Sequence, residues 1–257
     1  MNVLVFDIET VPDVELGRRL YGLKDLSDEH VAQIMFTRRR QETGSEFLSH
    51  EQQRIVAISV VMRSREQLKI WSLGEEGSSE RELIERFFDG LERYTPDLVS
   101  WNGAGFDLPV LNYRSLLHGV SAARYWEMGD SDQSFRYSNY LSRFHWRHMD
   151  LMDILSGFQS RGRASLQDIA TLLGFPGKLG MHGGEVWEAY LRGELKRIRD
   201  YCETDVLNTY LIYLRFELVR GRLNATEHAH ELARARQLLA ESTAAHWQEF
   251  AAAWPAS

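Results

Sequence analysis

The sequence predicts an α/β fold in which a central mixed β-sheet is flanked by helices. Runs rich in β-branched and aromatic residues dominate the first part of the chain, and helical periodicity dominates the rest. Both a short polar turn and helix-length connections join the apolar runs. A short turn favours antiparallel neighbours, whereas a helical crossover favours parallel ones, so a sheet of mixed direction is expected.

Each predicted strand is a short, largely apolar run. The four runs cover residues 3–8, 55–62, 68–73 and 97–101. The intervening residues 10–53 are charged and helix-like, with a break at Gly44. Ser79 and Glu82 have capping-box spacing, which predicts a helix to about residue 93. Further helical patterns cover residues 108–118, 151–156, 166–173, 186–191, 194–217 and an Ala-rich tail after residue 221.

The composition is that of an ordinary globular protein, with 257 residues, 44% hydrophobic and 26% charged. Apolar runs are too short to span a membrane, and the opening run lacks the basic flank of a signal peptide. We therefore expect no membrane association and a cytoplasmic location. The single cysteine, Cys202, excludes an intramolecular disulfide and a cysteine-based zinc cluster.

The net charge of −7 argues against a protein that coats duplex DNA, which would carry a basic excess. A metal-dependent nuclease escapes this objection because its carboxylates hold cations. The charge is compatible with a cleft that grips a few nucleotides.

Two groups of acids stand at predicted strand ends. Asp7 and Glu9 are two residues apart, which places both carboxylates on one face of a strand. They either hold a cation or belong to a strand that runs out into solvent. Asp107 follows the fourth strand, at the end of a sheet where ligands bind, but it also precedes Pro109 and could be a helix N-cap.

Tyr201 and Asp205 are spaced i, i+4 and therefore share one face of a predicted helix. Taken alone, this pair favours a core tyrosine with an acid at its margin over a functional pair. Cys202 between them is expected to be a buried neighbour and not a nucleophile, since no histidine is close in sequence.

Three motifs occur in order: Phe6-Asp7-Ile8-Glu9-Thr10, Asn102-Gly103-Ala104-Gly105-Phe106-Asp107 and Tyr201-x-x-x-Asp205. Together they resemble the DEDD (DnaQ-like) superfamily of 3′–5′ exonucleases in its tyrosine-bearing DEDDy branch, which has a ribonuclease-H-like fold. Within that branch, the chain looks most like stand-alone proteins related to the exonuclease domain of family-B DNA polymerases. The stretches Met149–Asp153 and Gly174–Lys178 reinforce the resemblance. It covers about residues 1–217, an exonuclease domain, and leaves residues 218–257 as a C-terminal helical extension.

The resemblance implies two divalent ions, Mg²⁺ or Mn²⁺, held by the four carboxylates. Asp7 would bridge both ions, Glu9 and Asp205 would bind the ion that activates water, and Asp107 would hold the second ion largely through water. Tyr201 would orient the attacking water or help accept its proton. These five residues are the expected catalytic set. Substrate-side candidates are Thr10, whose backbone could read the 3′-hydroxyl, together with Asn102 and Phe106.

The expected activity is metal-dependent 3′–5′ exonucleolytic hydrolysis at single-stranded ends, with DNA favoured over RNA. The alternatives are an exoribonuclease or short-oligonucleotide-degrading enzyme and, in another class, a non-catalytic protein that binds nucleic-acid ends. A DNA-repair or end-trimming role follows from the resemblance alone, and we expect no proofreading in cis. The sequence does not determine the oligomeric state.

For several features, the sequence leaves two interpretations open. Residues 119–147 interleave aromatics with arginines and form either a single-strand-binding surface or a loop packed over the core by its own aromatics. Phe106 either stacks on a terminal base or packs in the core. The tail docks on its own domain or on a protein partner. Lys178 is expected to be solvated in preference to contacting a phosphate.

Overall fold

The computed structural model describes residues 2–65 and 67–255, which contain one five-stranded sheet of order β3-β2-β1-β4-β5. β1 is antiparallel to β2 and parallel to β4; β2 and β3 are antiparallel, and β4 and β5 are parallel. The predicted mixed sheet is therefore confirmed. The strands are β1 (Val3–Pro12), β2 (Gln53–Arg63), β3 (Leu68–Ser72), β4 (Asp97–Ser100) and β5 (His148–Asp150).

Helices flank the sheet in the described part of the chain, as predicted. They are α1 (Val14–Tyr21), α2 (Asp28–Thr43), α3 (Glu80–Tyr94), α4 (Asp107–His118), α5 (Ala123–Trp126), α6 (Leu151–Leu155), α7 (Leu166–Leu172), α8 (Val186–Leu191), α9 (Leu195–Val219), α10 (Ala225–Glu241) and α11 (Ala245–Ala253). None of the described helices combines the length and the apolar character that a membrane crossing needs.

Two strand predictions need correction. β1 continues to Pro12 and does not stop at Ile8, because its last residues pair with the start of β2 after a register shift between Glu9 and Thr10. β5 was not predicted, since its three residues are too few to show an alternation. It forms because β4 offers a free parallel edge, where Val99 pairs with Met149.

Alternation along β1 decides which side chains meet α9. Val3 and Val5 pack into the core on the α9 side of the sheet. Leu4, Phe6 and Ile8 pack into the opposite core, against α3 and α4. Because side chains alternate along a strand, Asp7 and Glu9 continue the series of Val3 and Val5. Both acids therefore lie on the α9 side.

The C-terminal tail docks on its own domain. α10 and α11 contribute apolar side chains to the core on the α9 side, namely Ala235, Leu239, Trp247, Phe250 and Trp254. A buried ion pair joins Arg63 of β2 to Glu231 of α10, with Nη2 and Oε1 2.5 Å apart, and the Tyr210 hydroxyl donates to Glu231 at 3.1 Å. The tail is thus part of the fold that holds α9.

The aromatic segment 119–147 contains both buried and exposed aromatic side chains, so each of its two interpretations holds for part of it. Tyr125, Phe135 and Tyr140 are buried in the core on the α3 side, and the Tyr140 hydroxyl donates to the Pro96 carbonyl at 2.7 Å. Phe144 and Trp146 remain exposed. The segment is both a packed loop and an aromatic surface.

Candidate active site

The candidate site lies where the second half of β1 faces the first half of α9. Oxygen atoms of Asp7 and Glu9 and the Sγ of Cys202 lie within 4.8 Å of one another. The Cys202 thiol donates to the backbone carbonyl of Asp7 at 3.4 Å and contacts its Oδ2 at 3.5 Å. Burial raises the pKa of the thiol well above its ordinary value, so it stays protonated. Cys202 is a buried neighbour of the acids, as predicted.

Tyr201 and Asp205 present one face of α9 to these acids, as their spacing predicts. Each is only 4% exposed. Both side chains contact the ammonium group of Lys178. The helix therefore adds an acid and a tyrosine to the pair supplied by the strand.

Asp107 joins the cluster through β1 and is not the helix cap that the sequence left open. The N-cap position of α4 is Phe106, and Asp107 is the first helical residue. Its Oδ1 accepts the backbone N–H of Ile8 at 3.1 Å. Because Ile8 stands between Asp7 and Glu9, this bond fixes Asp107 beside both acids.

The loop before Asp107 is held rigidly. Asn102 adopts a left-handed backbone (φ 65°), which asparagine tolerates better than most residues. The Asp150 carboxylate accepts the N–H groups of Asn102 at 3.0 Å and Ala104 at 2.9 Å. A Cβ on Gly103 would overlap the Ser100 side chain, so only glycine fits. Asp150 also caps α6, where its carboxylate accepts the backbone N–H groups of Met152 and Asp153.

Lys178 belongs to the site, and the expectation of a solvated lysine is wrong. Its Nζ lies 3.1 Å from Asp205 Oδ2 and donates to the Tyr201 hydroxyl. Asn208 of α9 holds the preceding peptide: its Oδ1 accepts the Gly177 N–H at 3.1 Å and its Nδ2 donates to the Gly177 carbonyl at 2.8 Å. The sequence signal was its place at the end of the Gly174–Lys178 stretch.

The carboxylates are electrostatically frustrated. Burial raises the pKa of Asp7, and the charges of Asp107 and Asp205 raise it further. Burial and the neighbouring Asp7 raise the pKa of Glu9 in the same way. Burial raises the pKa of Asp107 to about 7, and it raises that of Asp205 despite the opposing effect of Lys178. Such a cluster favours protons or cations between its members.

Lys178 remains positively charged, and Tyr201 keeps its phenolic proton. Burial lowers the pKa of Lys178, but the carboxylates of Asp205, Asp7 and Glu9 outweigh it and leave the pKa above its ordinary value. Burial raises the pKa of Tyr201 well above 10, and the same carboxylates add to the shift. Lys178 is a fixed cation, and Tyr201 is a hydrogen-bond donor.

The surroundings of one carboxylate oxygen indicate whether the site residues suit a divalent cation. Asp205 Oδ1 is buried and, among the described residues, has no hydrogen-bond partner. A buried carboxylate oxygen without a donor is costly, and a cation would satisfy it. Hard carboxylate oxygens are the ligands that Mg²⁺ and Mn²⁺ prefer. The acidic cluster could therefore bind such a metal.

One of the three substrate-side candidates borders a cleft of about 640 Å³, next to Glu9 along β1. Thr10 lines it, and the Thr10 hydroxyl donates to Gln53 at 2.9 Å. Phe47 and Trp187 line the same cleft. The Phe106 ring lies 5.2 Å from that of Phe47 and also packs against the core on the α3 side, so it has features of both interpretations. Asn102 shapes the loop that presents Phe106.

Comparison with known proteins gives a family and a fold. The sequence model of a family described as "predicted 3′–5′ exonuclease related to the exonuclease domain of PolB" matches residues 45–254. The match includes Asp107, Tyr201 and Asp205 and continues past the expected limit at residue 217. It begins after Asp7 and Glu9, which the fold brings to the other three.

The chain spans only a small part of the length of the polymerases that it matches. A DNA polymerase of Archaeoglobus fulgidus is 25% identical over 136 residues, 52% of this chain and 17% of its own length. The catalytic polypeptide of DNA polymerase epsilon from Eremothecium gossypii is 25% identical over 147 residues, 53% of this chain and 6% of its own length. The structure of the family B DNA polymerase from Pyrobaculum calidifontis superposes with a TM-score of 0.51 at 19% identity, covering 85% of this chain and 24% of that one. The fold is the predicted ribonuclease-H-like one.

Proposed function

The chain belongs to the family of predicted 3′–5′ exonucleases related to the exonuclease domain of PolB, and on that premise we propose that it is a divalent-metal-dependent 3′–5′ exonuclease. Its substrate is the 3′ end of a single-stranded nucleic acid, and DNA is favoured over RNA because the relatives are DNA polymerases. The observation that carries the proposal is that the buried Asp205 Oδ1 has no hydrogen-bond partner among the described residues, in a site where the charges of Asp107 and Asp205 act on Asp7.

Asp7, Glu9, Asp107 and Asp205 would hold the metal ions. Asp7 would be a central ligand of the set, since the charges of both Asp107 and Asp205 act on its carboxyl group. Two bound Mg²⁺ or Mn²⁺ ions would stabilise charge on the phosphoryl oxygens and favour ionisation of the attacking water. The backbone N–H of Ile8 keeps Asp107 in place for this task.

Tyr201 and Lys178 act from the helical side. The protonated phenol of Tyr201 can donate to or orient a water, and its raised pKa argues against a role as base. The Lys178 ammonium holds Asp205 and offers a positive charge to a scissile phosphate. Both groups are fixed before substrate arrives, which favours catalysis by positioning.

The cleft beside Thr10 suits the terminal nucleotides. Phe47 and Phe106 offer ring faces for bases, which supports single strands because their bases are free to stack on protein rings. The acids Glu29, Glu46 and Glu188 also line the cleft and would repel a long run of phosphates. The cleft therefore suits a short 3′ end better than a continuous strand.

The test is a gel assay on 5′-labelled single-stranded DNA and RNA of matched sequence, with Mg²⁺, Mn²⁺ or EDTA. We expect a metal-dependent ladder that shortens from the 3′ end and is absent in Asp205→Ala. Asp89→Ala, the same change at an exposed position of α3, is the matched control and should cleave normally. A stronger ladder on RNA would make the enzyme an exoribonuclease. Unchanged cleavage by Asp205→Ala would place the site elsewhere, and no ladder on either polymer would favour an end-binding protein.

A further inference from the structure

A second aromatic surface lies far from the candidate active site. We call it the distal aromatic patch and define it as Arg143, Phe144, Trp146, Phe158, Phe216 and Arg220. Phe144 is 73% exposed and Trp146 is 52% exposed. Neither residue is used by the proposed mechanism.

The patch occupies the opposite end of the sheet. Trp146 comes two residues before β5, whereas Asp107 follows the end of β4, and these two strands are parallel. Along α9, Arg220 comes 15 residues after Asp205, which corresponds to about 22 Å at the α-helical rise. At about 3.4 Å per phosphate of one strand, that distance corresponds to roughly six nucleotides.

The patch alternates flat rings with guanidinium groups. The Trp146 and Phe216 rings are stacked with centroids 6.3 Å apart, and the Arg220 guanidinium lies 4.5 Å from the centre of Trp146. Arg143 lies 5.0 Å from the centre of Phe144 and 5.4 Å from that of Phe158. Such pairs offer stacking faces for bases beside positive charge for phosphates.

The charges of the two arginines differ. Arg220 is paired with the buried Glu217, with Nε and Oε1 2.6 Å apart, and serves mainly to hold the Trp146 ring. Arg143 is exposed, and the ion pairs in this part of the described structure join Arg124, Arg163 and Arg220 to carboxylates but do not include it. Its positive charge is therefore available to a ligand, on a protein whose overall charge is negative.

Phe158 supplies an independent sign of a built surface. Its backbone has φ 61°, in the left-handed region that bulky side chains rarely adopt. The bond from its N–H to the Asp153 carbonyl, 2.7 Å, holds this conformation. The ring reaches Phe144, with centroids 6.1 Å apart. Such strain persists where the surrounding structure over-determines it, and it concentrates at functional positions.

We propose that the distal aromatic patch binds the single strand on the 5′ side of the terminus that enters the candidate active site. This rests on the proposed exonuclease function for the direction of the strand. Single-stranded nucleic acid fits the surface because it brings unstacked bases to the rings and phosphates to Arg143. Strands shorter than about six nucleotides would engage the active site alone.

The experiment measures binding of 5′-fluorescein dT20 and dT4 by fluorescence polarisation in a cleavage-deficient Asp107→Ala background. The test variant is Arg143→Glu/Trp146→Ala. The matched control is Lys69→Glu/Trp71→Ala, which changes an exposed cation and an exposed tryptophan on β3, the opposite edge strand. Arg143→Glu alone, at an exposed position, covers the case in which loss of Trp146 lowers the melting temperature.

We expect the test variant to weaken dT20 binding about tenfold or more while leaving dT4 binding unchanged, as loss of a stacking ring and a phosphate contact predicts. The control should bind both as the parent does. Equal dT20 affinity in the parent and in both patch variants overturns the proposal, as does an equal loss in the control. Because these are binding measurements, they stand whether or not the protein cleaves. A failed cleavage assay is therefore a separate result.

Discussion

The Nζ of Lys178 lies 3.1 Å from Oδ2 of the buried Asp205. Lys178 belongs to a loop, and the residue before it, Gly177, makes two hydrogen bonds with the side chain of Asn208. The chain thus places one of its own cations against an acid that the proposed metals also need. Lys178 partly offsets the repulsion among the carboxylates but leaves Asp205 Oδ1 without a partner among the described residues. The contact between Lys178 and Asp205 therefore affects both the stability of the fold and the binding of cations.

Replacing Lys178 by methionine separates those roles. We expect Lys178→Met to bind Mn²⁺ more tightly, because a competing cation is gone, and to cleave at least about tenfold more slowly, because a positioned charge is lost. Calorimetric titration with Mn²⁺ and single-turnover cleavage measure the two effects. Lys69→Met on β3 is the control. Undiminished cleavage in Lys178→Met would show that the lysine only stabilises the fold.

Tyr201→Phe keeps the ring and removes the hydroxyl that contacts Lys178. Single-turnover cleavage should slow by about a hundredfold, a usual cost of losing one positioned donor. Mn²⁺ affinity should change little, since the phenol is not among the proposed ligands. Tyr94→Phe, at an exposed position, should behave as the parent. A collapse of metal affinity in Tyr201→Phe would instead make the tyrosine structural.

Asp107 makes the stability of the metal-free protein depend on pH. Its pKa of about 7 in the fold exceeds its ordinary value, so its folded form holds a proton that the unfolded form releases. Its contribution to stability is complete below about pH 4 and is lost as the pH rises through about 7. Asp107→Asn removes this loss and keeps an acceptor for the Ile8 N–H.

Urea unfolding in EDTA checks that sign. Relative to the parent, Asp107→Asn should gain at least about 1 kcal/mol more at pH 8 than at pH 5. Asp89→Asn, at an exposed position of α3, should show no such difference. A gain that is larger at pH 5 would refute the assignment of a raised pKa.

The Arg63–Glu231 pair ties the C-terminal helices to the sheet. Both side chains are about nine-tenths buried, so Glu231→Gln should cost about 3 kcal/mol by leaving the arginine charge uncompensated. Arg63→Met/Glu231→Leu should recover much of that loss. The exposed pair Arg81–Glu85 provides the control, and Glu85→Gln should change stability by less than about 1 kcal/mol. Equal effects at the two pairs would contradict a structural role for the tail.

Local periodicity accounts for what the sequence could predict. The period of two on β1 and the i, i+4 spacing on α9 place Asp7 with Glu9 and Tyr201 with Asp205. The order of the three motifs along the chain indicated that these two pairs belong to one site. Lys178 was misjudged because its position depends on Asn208, which is 30 residues away and carries no signature of that task. β5 could not be predicted because it is stabilised by pairing with β4 and not by a pattern in its own residues. The carboxylate of Asp107 does not cap α4, because it accepts the backbone N–H of Ile8 in β1.

The contact between β1 and α9 joins residues very distant along the chain; Cys202 and Asp7, for example, are 195 residues apart. A ribosome therefore delivers the first two acids long before the last one, and the final helices that brace α9 come later still. A nascent chain, or one broken before α9, has three of the four proposed carboxylates but lacks Asp205 and the helix that carries it. On this geometry, the four proposed ligands come together only after α9 has been made, so the site assembles late in folding.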